Sequence, residues 1–109
     1  MSQICLENAA TCVFEKNTFK ISGAINKYTR DGLYQQIIGK INKKNTKQIT
    51  IDITNCSYID SEGIGLLIKI RIYVNLYSND KKITVKTNSE IYKKLDKNGF
   101  SKLFNLVME

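Results

Sequence analysis

The run from Ile49 to Ile53 constrains the fold of this chain more than any other segment. Its isoleucines alternate with polar residues, so that they share one face of a β-strand, predicted over residues 48–53. An acid, a hydroxyl and two spaced glycines follow shortly afterwards, between Asp60 and Gly65. If a helix starts there, its free backbone N–H groups make the turn a natural place for a phosphate.

The composition is that of a single globular domain spanning residues 1–109. Apolar residues make up 42% of the chain and charged residues 25%. No apolar stretch is long enough to span a membrane, and the N-terminal residues lack the pattern of a signal peptide. We therefore expect a cytoplasmic protein without direct membrane insertion.

The chemistry-bearing side chains predict a protein that binds and does not catalyse. The three cysteines, Cys5, Cys12 and Cys56, are irregularly spaced, and the chain contains no histidine. A structural zinc site needs four ligands in short paired spacings, and a disulfide scaffold needs an even number of cysteines. Without histidine, the commonest general base is also missing. We expect reduced thiols, no metal, no cofactor and no enzymatic activity.

The formal net charge of +7 raises the possibility of a nucleic-acid surface. Its basic residues are nearly all lysines spread along the chain, and Arg30 and Arg71 are the two arginines. Arginine is the residue type that reads bases and clamps phosphates most effectively. The composition therefore favours solvated lysine faces, and no nucleic-acid partner is expected.

Predicted strands and helices alternate along the chain, which is typical of an α/β layer. The predicted extended segments are residues 3–7, 11–15, 18–22, 48–53 and 83–86. The predicted helices are residues 28–41, capped by Asn26 or Thr29, and a second one through Asn98, capped by Asn88 or Ser89. Gly23 is predicted to end a strand and Gly99 a helix, and the predicted polar turns are residues 43–47 and 78–80. Residues 100–106 are predicted to form a last apolar helical turn or two.

Residues 64–77 fit two patterns. Strict alternation of Ile68, Ile70 and Ile72 with polar residues predicts a strand, whereas a length of fourteen residues favours a helix. The helical alternative has an apolar stripe and leaves three large side chains off it. The stripe consists of Ile64, Leu67, Ile68 and Ile72, and the side chains off it are Leu66, Ile70 and Tyr73. Periodicity alone leaves both alternatives open.

From about Thr18 to Leu106, the order of elements resembles the STAS domain of bacterial anti-sigma factor antagonists. The segment from Asp60 to Gly65 is similar to the family's motif Asp-Ser-Ser/Thr-Gly-Leu-Gly. Gly23 and the closing segment from Leu95 to Leu106 add to the resemblance. It implies a small mixed β-sheet of four to five strands with about four helices packed on one side, and a helix over residues 64–77.

The resemblance also implies a function. In such antagonists, the first serine of the motif is phosphorylated by a partner anti-sigma factor, which is a serine kinase that uses ATP. The unphosphorylated antagonist binds this kinase and releases the sigma factor. Ser61 matches that serine, Asp60 the preceding acid, and Gly63 and Gly65 the two glycines. A phosphatase acting on phosphorylated Ser61 would be a further partner.

The expected partner-binding residues surround Ser61, and two of them depart from the family pattern. They are Asn26, Asp60, Glu62, Gly63, Ile64, Gly65 and Leu66. Glu62 stands where antagonists usually have a second small hydroxyl residue, and Asn26 stands where many have an acid. Exposed Leu66, Ile70 or Tyr73 would supply the apolar part of the surface.

Other interpretations remain open. Ser61 or Asp60 could simply cap a helix, since both residue types are favoured at that position. The chain could also be a STAS accessory subunit of a membrane transport complex, docking without phosphorylation. A basic nucleic-acid binder is a third, weaker alternative.

Overall fold

The computed structural model describes residues 9–41, 49–76 and 83–109, and they form one sheet with helices against it. The strands, in sheet order, are β1 (Ala10–Glu15), β2 (Thr18–Ile25), β3 (Thr50–Ile59), β4 (Ile83–Thr87) and β5 (Phe104–Met108). The α-helices are α1 (Arg30–Ile38), α2 (Ser61–Asn75) and α3 (Ser89–Lys97). The predicted segment 3–7 and the predicted turns 43–47 and 78–80 lie outside the described residues.

The sheet is mixed, as predicted. β1 and β2 form an antiparallel hairpin whose two turn residues, Lys16 and Asn17, have φ angles of 52° and 61°. Positive φ at both positions is typical of the tight turn that matches the twist of paired strands. Each of the other neighbouring strand pairs is parallel. The carboxyl ends of β2 and β3 therefore lie side by side.

The helices cover one face of this sheet. Phe19, Ile51, Val85 and Leu106 lie in register across β2 to β5; the first three belong to the core, and half-buried Leu106 packs against it. Buried residues from all three helices join the same core: Leu33, Ile37, Leu66, Leu67, Ile70, Val74, Ile91 and Leu95. The next row across the sheet, Lys20, Asp52 and Lys86, is polar and faces the other way. The predicted arrangement of helices on one side is confirmed.

The C-terminal segment differs from the prediction of a terminal helix. Phe100–Lys102 form one turn of 3-10 helix, and Phe104–Met108 form strand β5 beside β4. Phe104 is buried and Leu106 is half-buried, while Asn105 between them is exposed. This alternation has the period of a strand, and the apolar residues before it obscured the pattern. The described residues thus contain three α-helices and one 3-10 turn, not four helices.

Two predicted boundaries were wrong near β2. Gly23 does not end the strand; β2 continues to Ile25 through a register shift beside Gly23. Gly23 has a φ of +97°, and a Cβ atom there would lie 2.4 Å from the carbonyl oxygen of Ala9. Glycine is therefore needed to continue the strand through this irregularity. The next helix, α1, begins later and ends earlier than the predicted range 28–41.

Residues 64–75 are helical, as the family resemblance implied, but the buried stripe is not the predicted one. α2 buries Leu66, Leu67, Ile70 and Val74, whereas Ile72 is exposed. The spacing of the buried residues follows the helical period. The alternating pattern arose because partly covered isoleucines lie beside the true stripe, so that apolar residues surround most of the helix.

Asn88 joins α3 to the middle of β3. Its Oδ1 atom accepts a hydrogen bond of 2.9 Å from the backbone N–H of Ile91, which caps the helix. Its Nδ2 atom donates to the carbonyl oxygens of Thr54 and Cys56, each at 3.3 Å. Of the two predicted caps, Asn88 is therefore the correct one, and it also satisfies two strand carbonyls.

These two roles of Asn88 can be separated by substitution. Asn88→Ser keeps a capping oxygen but loses the amide donor, so it should lower the free energy of unfolding by about 1 kcal/mol. Asn88→Ala loses both roles and should cost about 2 kcal/mol. Urea unfolding of both variants measures the difference. Equal losses would show that the strand carbonyls gain nothing from Asn88.

Candidate functional site

Asp60 is the N-cap of α2. Its backbone is extended, with φ −114° and ψ −170°, and its Oδ1 atom accepts hydrogen bonds from the backbone N–H groups of Glu62 and Gly63, each at 3.0 Å. Its carbonyl oxygen accepts the first helical bond, from Ile64, at 2.9 Å. Of the two capping alternatives left open by the sequence, the structure shows Asp60.

Ser61 is therefore not needed to cap the helix. It is the first residue of α2, and its side chain is exposed. The backbone around Ser61 is fixed by the hydrogen bonds of Asp60, which precedes it, and by those of the first helical turn, which follows it. The result is a hydroxyl group presented to solvent on a fixed backbone.

The end of β2 holds the turn before α2 in place. The backbone N–H of Asp60 donates to the carbonyl oxygen of Ile25 at 3.3 Å, and Ile25 is paired in register with Ile59. A Cβ atom on Gly63 would lie 2.4 Å from that same carbonyl oxygen and 2.7 Å from Cγ1 of Ile59. Only glycine at position 63 allows the helix to start this close to the strand.

Asn26 organises the turn into α1. It is buried, its Oδ1 atom accepts from the backbone N–H of Tyr28 at 2.9 Å, and its carbonyl oxygen accepts from the N–H groups of Thr29 and Arg30. The hydroxyl of Thr29 donates to the carbonyl oxygen of Ala24 and accepts from the N–H of Asn26. Asn26 lines the same hollow as Asp60, the N-cap of α2, and its hydrogen bonds give it a structural role in the turn into α1.

An ion pair joins the first turns of the two helices. A guanidinium nitrogen of Arg30, in α1, contacts a carboxylate oxygen of Glu62, in α2. The side chains are 40% and 46% exposed, respectively. Arg30 was missed in the sequence because 32 positions separate it from Glu62 and no local pattern connects them. Its second contact, with Asp31, is longer, at 3.6 Å.

The apolar part of the surface near Ser61 is not the predicted one. Leu66 and Ile70 are buried in the core and Tyr73 is half-buried, so Leu66 and Ile70 cannot supply an exposed docking surface. Exposed aromatic area comes instead from Tyr28 and Tyr58, which are 64% and 51% exposed. Both line a hollow of about 500 Å³ that Asp60 also borders. Tyr28 follows the end of β2 and Tyr58 lies near the end of the adjacent β3, and no local sequence pattern shows that these two places meet.

Gly65 and Ile64 complete the first turns of α2. Ile64 is half-buried and packs against the core. A Cβ atom on Gly65 would meet no heavy atom within 4 Å, so this glycine leaves open space and is not required by packing. It borders a second groove, of about 270 Å³, between α1 and α2, together with Arg30, Glu62 and Lys69.

The described residues contain no cluster of three or more histidine, cysteine or acidic side chains that could hold a metal ion. Among the helices of residues 9–41, 49–76 and 83–109, none has the length and hydropathy needed to cross a membrane.

Cys56 lies near the end of β3 and is buried. Its thiol donates to the carbonyl oxygen of Ile21 at 3.3 Å. Burial, assisted by the negative charge of Asp52, raises the pKa of Cys56 to about 12. A thiol that stays protonated is a poor nucleophile, so Cys56 has the character of a core residue.

Comparisons with known proteins agree with this fold. The family model described as "STAS domain" matches residues 11–109. A solved structure, the crystal structure of an anti-sigma factor antagonist from Mycobacterium paratuberculosis, superposes with a TM-score of 0.76. The sequence identity is 17%, and the match covers 92% of this chain and 86% of that one. The likeness to this structure shows a shared fold.

The two glycines of the first helical turns should respond oppositely to alanine. Gly63→Ala places a Cβ atom against the Ile25 carbonyl and should lower the free energy of unfolding by about 1–3 kcal/mol. Gly65→Ala enters open space within a helix and should raise it by about 0.5–1 kcal/mol. Urea unfolding curves of both variants test this. A loss of similar size in both would contradict the close approach at Gly63.

The stability of the fold should depend on the protonation of Cys56. Since the folded state raises the pKa of Cys56 to about 12, the unfolded chain loses this proton at lower pH. Its stabilising contribution is therefore fully present below about pH 8.5 and is lost as the pH rises toward the folded pKa. Urea unfolding between pH 8 and 11 should show a shallower decline for Cys56→Ala than for the wild type. Parallel declines would contradict the raised pKa of Cys56 in the folded state.

Proposed function

The chain belongs to the STAS domain family, and we propose that it is an anti-sigma factor antagonist. In this proposal it acts in the cytoplasm by binding an anti-sigma factor that is also a serine kinase, and so releases a sigma factor for transcription. Phosphorylation of Ser61 by that kinase ends the interaction. The observation that carries the proposal is the exposed hydroxyl of Ser61 at the first position of α2, next to the Asp60 cap.

The surroundings of Ser61 support its proposed role as a kinase substrate. Its side chain is exposed, and the N-cap function belongs to Asp60, so modification of the hydroxyl removes no bond that the helix start needs. The chain shares its fold with the matched antagonist structure, which is consistent with this use of the site. ATP enters as the substrate of the partner kinase, and the chain itself acts by binding.

A phosphate at Ser61 would change the charge of the surface and not the fold. It adds a charge of about −1.5 to −2 and three acceptor oxygens. A helix N-terminus tolerates negative charge, so α2 can remain folded. The phosphate would lie between Asp60 and Glu62, whose carboxylate contacts Arg30, and the added charge would make this a dense negative spot. We propose that this spot prevents an acidic or closely packed partner surface from docking.

The hollow beside Asp60 supports a docking role for the same region. Exposed Tyr28 and Tyr58 border it, and aromatic residues are enriched in protein–protein interfaces. The Nζ atoms of Lys27 and Lys94 lie 5.0 and 5.2 Å from the ring centroids of Tyr28 and Tyr58, respectively. These cation–π contacts place a lysine and a tyrosine side chain together at each of two points on the border of the proposed interface.

The chain offers a matched control for Ser61. Ser89 is also the first residue of an α-helix, is also exposed, and follows a capping side chain, Asn88. A glutamate follows each serine, Glu90 in one case and Glu62 in the other. Ser61 and Ser89 therefore share local chemistry and differ in the surface around them.

The test uses the full chain with a purified anti-sigma factor serine kinase from the same organism and ATP. Phosphate should appear on wild type and on Ser89→Ala, and should be absent from Ser61→Ala, as read by mass spectrometry. By calorimetry, Ser61→Ala should bind the kinase like wild type, whereas Ser61→Asp should bind about tenfold more weakly, because it places a negative charge at the docking surface.

Two results would overturn the proposal. One is equal affinity of Ser61→Ala and Ser61→Asp, and the other is phosphate on Ser89 in place of Ser61. If the chain remained unmodified in its own cells and co-purified with a membrane transport complex, the alternative function as an accessory subunit would be supported instead.

A further inference from the structure

We propose that Arg30 is a specificity-determining residue for partner docking, because it neutralises the permanent charge of Glu62 beside the phosphate acceptor. The inference rests on the proposed function and concerns how this chain keeps its two phosphorylation states distinct. It starts from the ion pair between the first turns of α1 and α2.

Glu62 poses a problem for a switch that works by negative charge. It follows Ser61 directly, lies in the first turn of α2, and is 46% exposed. An unpaired carboxylate at this point would give the unmodified surface part of the character of the phosphorylated one. A partner that rejects the phosphate would then also be weakened by the unmodified chain.

The contact with Arg30 removes this conflict. A guanidinium nitrogen of Arg30 touches a carboxylate oxygen of Glu62, so the pair is close to neutral when seen by a partner. A phosphate on Ser61 brings more negative charge than this one cation can balance. The unmodified surface thus stays near neutral at Glu62, and the modified surface becomes strongly negative.

The position of Arg30 follows from backbone bonds at the end of β2. The carbonyl oxygen of Ile25 accepts from Asp60, which starts α2, and that of Asn26 accepts from Arg30, at 2.9 Å, at the start of α1. Two consecutive residues of one strand end therefore hold both helix starts. Backbone hydrogen bonds thus fix the two helix starts from which the ion-pairing side chains extend.

Within its own helix, Arg30 makes the longer of its two contacts with acidic side chains, to Asp31 at 3.6 Å. A cation in the first turn of a helix opposes the helix dipole, and Asp31 already provides the acid that this position favours. Arg30 lies closer to Glu62 than to Asp31, whose carboxylate is 81% exposed. Its favourable interaction is therefore mainly with α2, across the groove.

The ion pair contributes little to stability, so the effect of its removal on binding can be separated from any effect on folding. Pairs between half-exposed side chains change stability slightly, so Arg30→Ala should retain its fold and thermal unfolding should show this directly. Lys20→Ala is the matched control. It also removes one cation of an exposed ion pair, with Glu15, on the sheet face away from the helices.

The experiment measures affinity for the purified kinase by calorimetry, with the full chain. Arg30→Ala should bind about fivefold more weakly than wild type, between wild type and Ser61→Asp, because an exposed charge is unmasked. The loss should shrink as salt is raised. Arg30→Ala combined with Glu62→Ser should return to within about twofold of wild type, and Lys20→Ala should bind like wild type.

The outcomes separate the inference from the function on which it rests. If wild type and Ser61→Ala bind but Arg30→Ala binds equally well, the role of Arg30 is overturned and the function stands. If Glu62→Ser fails to rescue Arg30→Ala, Arg30 touches the partner itself and the neutralisation is overturned. If wild type neither binds the kinase nor accepts phosphate, both proposals fail.

Discussion

The carbonyl oxygen of Ile25 is the point on which the site depends. It accepts the N–H of Asp60, and it lies so close to Gly63 that a Cβ atom would be only 2.4 Å away. The start of α2 is thereby fixed against the end of β2. The exposure of Ser61, the capping by Asp60 and the reach of Glu62 toward Arg30 all follow from this contact, because each is set by where the helix begins.

The fold could be predicted where local pattern and local structure agree. The alternating isoleucines of β3 and the capping and stop residues of α3 produced elements of the correct type. The hydrophobic pattern was misleading where it fitted both the helical period and the strand period. In α2, apolar residues surround most of the helix, and in β5 a short strand follows directly on an apolar turn. Strand β5 forms because it pairs with β4, and β4 is too distant in sequence for a local pattern to reveal this pairing.

The part of the candidate site that is continuous in sequence could be predicted, but the residue contributed by a second helix could not. The motif from Asp60 to Gly65 is continuous in sequence, so its acid, hydroxyl and glycines were identified as a group. Arg30 reaches the site from another helix, and its contact exists only because two neighbouring strands end together. The expected apolar surface was misplaced for a related reason. Which side of α2 faces the sheet is a tertiary property, and it buries Leu66 and Ile70.

The capping of α2 by Asp60 has a consequence for the range of any signal sent from Ser61. Because the cap already satisfies the N–H groups of Glu62 and Gly63, a phosphate would add charge without displacing this bond. The change would then be confined to the charge and bulk of the phosphate itself, and physiological salt screens exposed charges beyond about 8 Å. A partner could read it only with groups brought almost into contact with the helix start, so distant parts of the domain would carry no record of the modification.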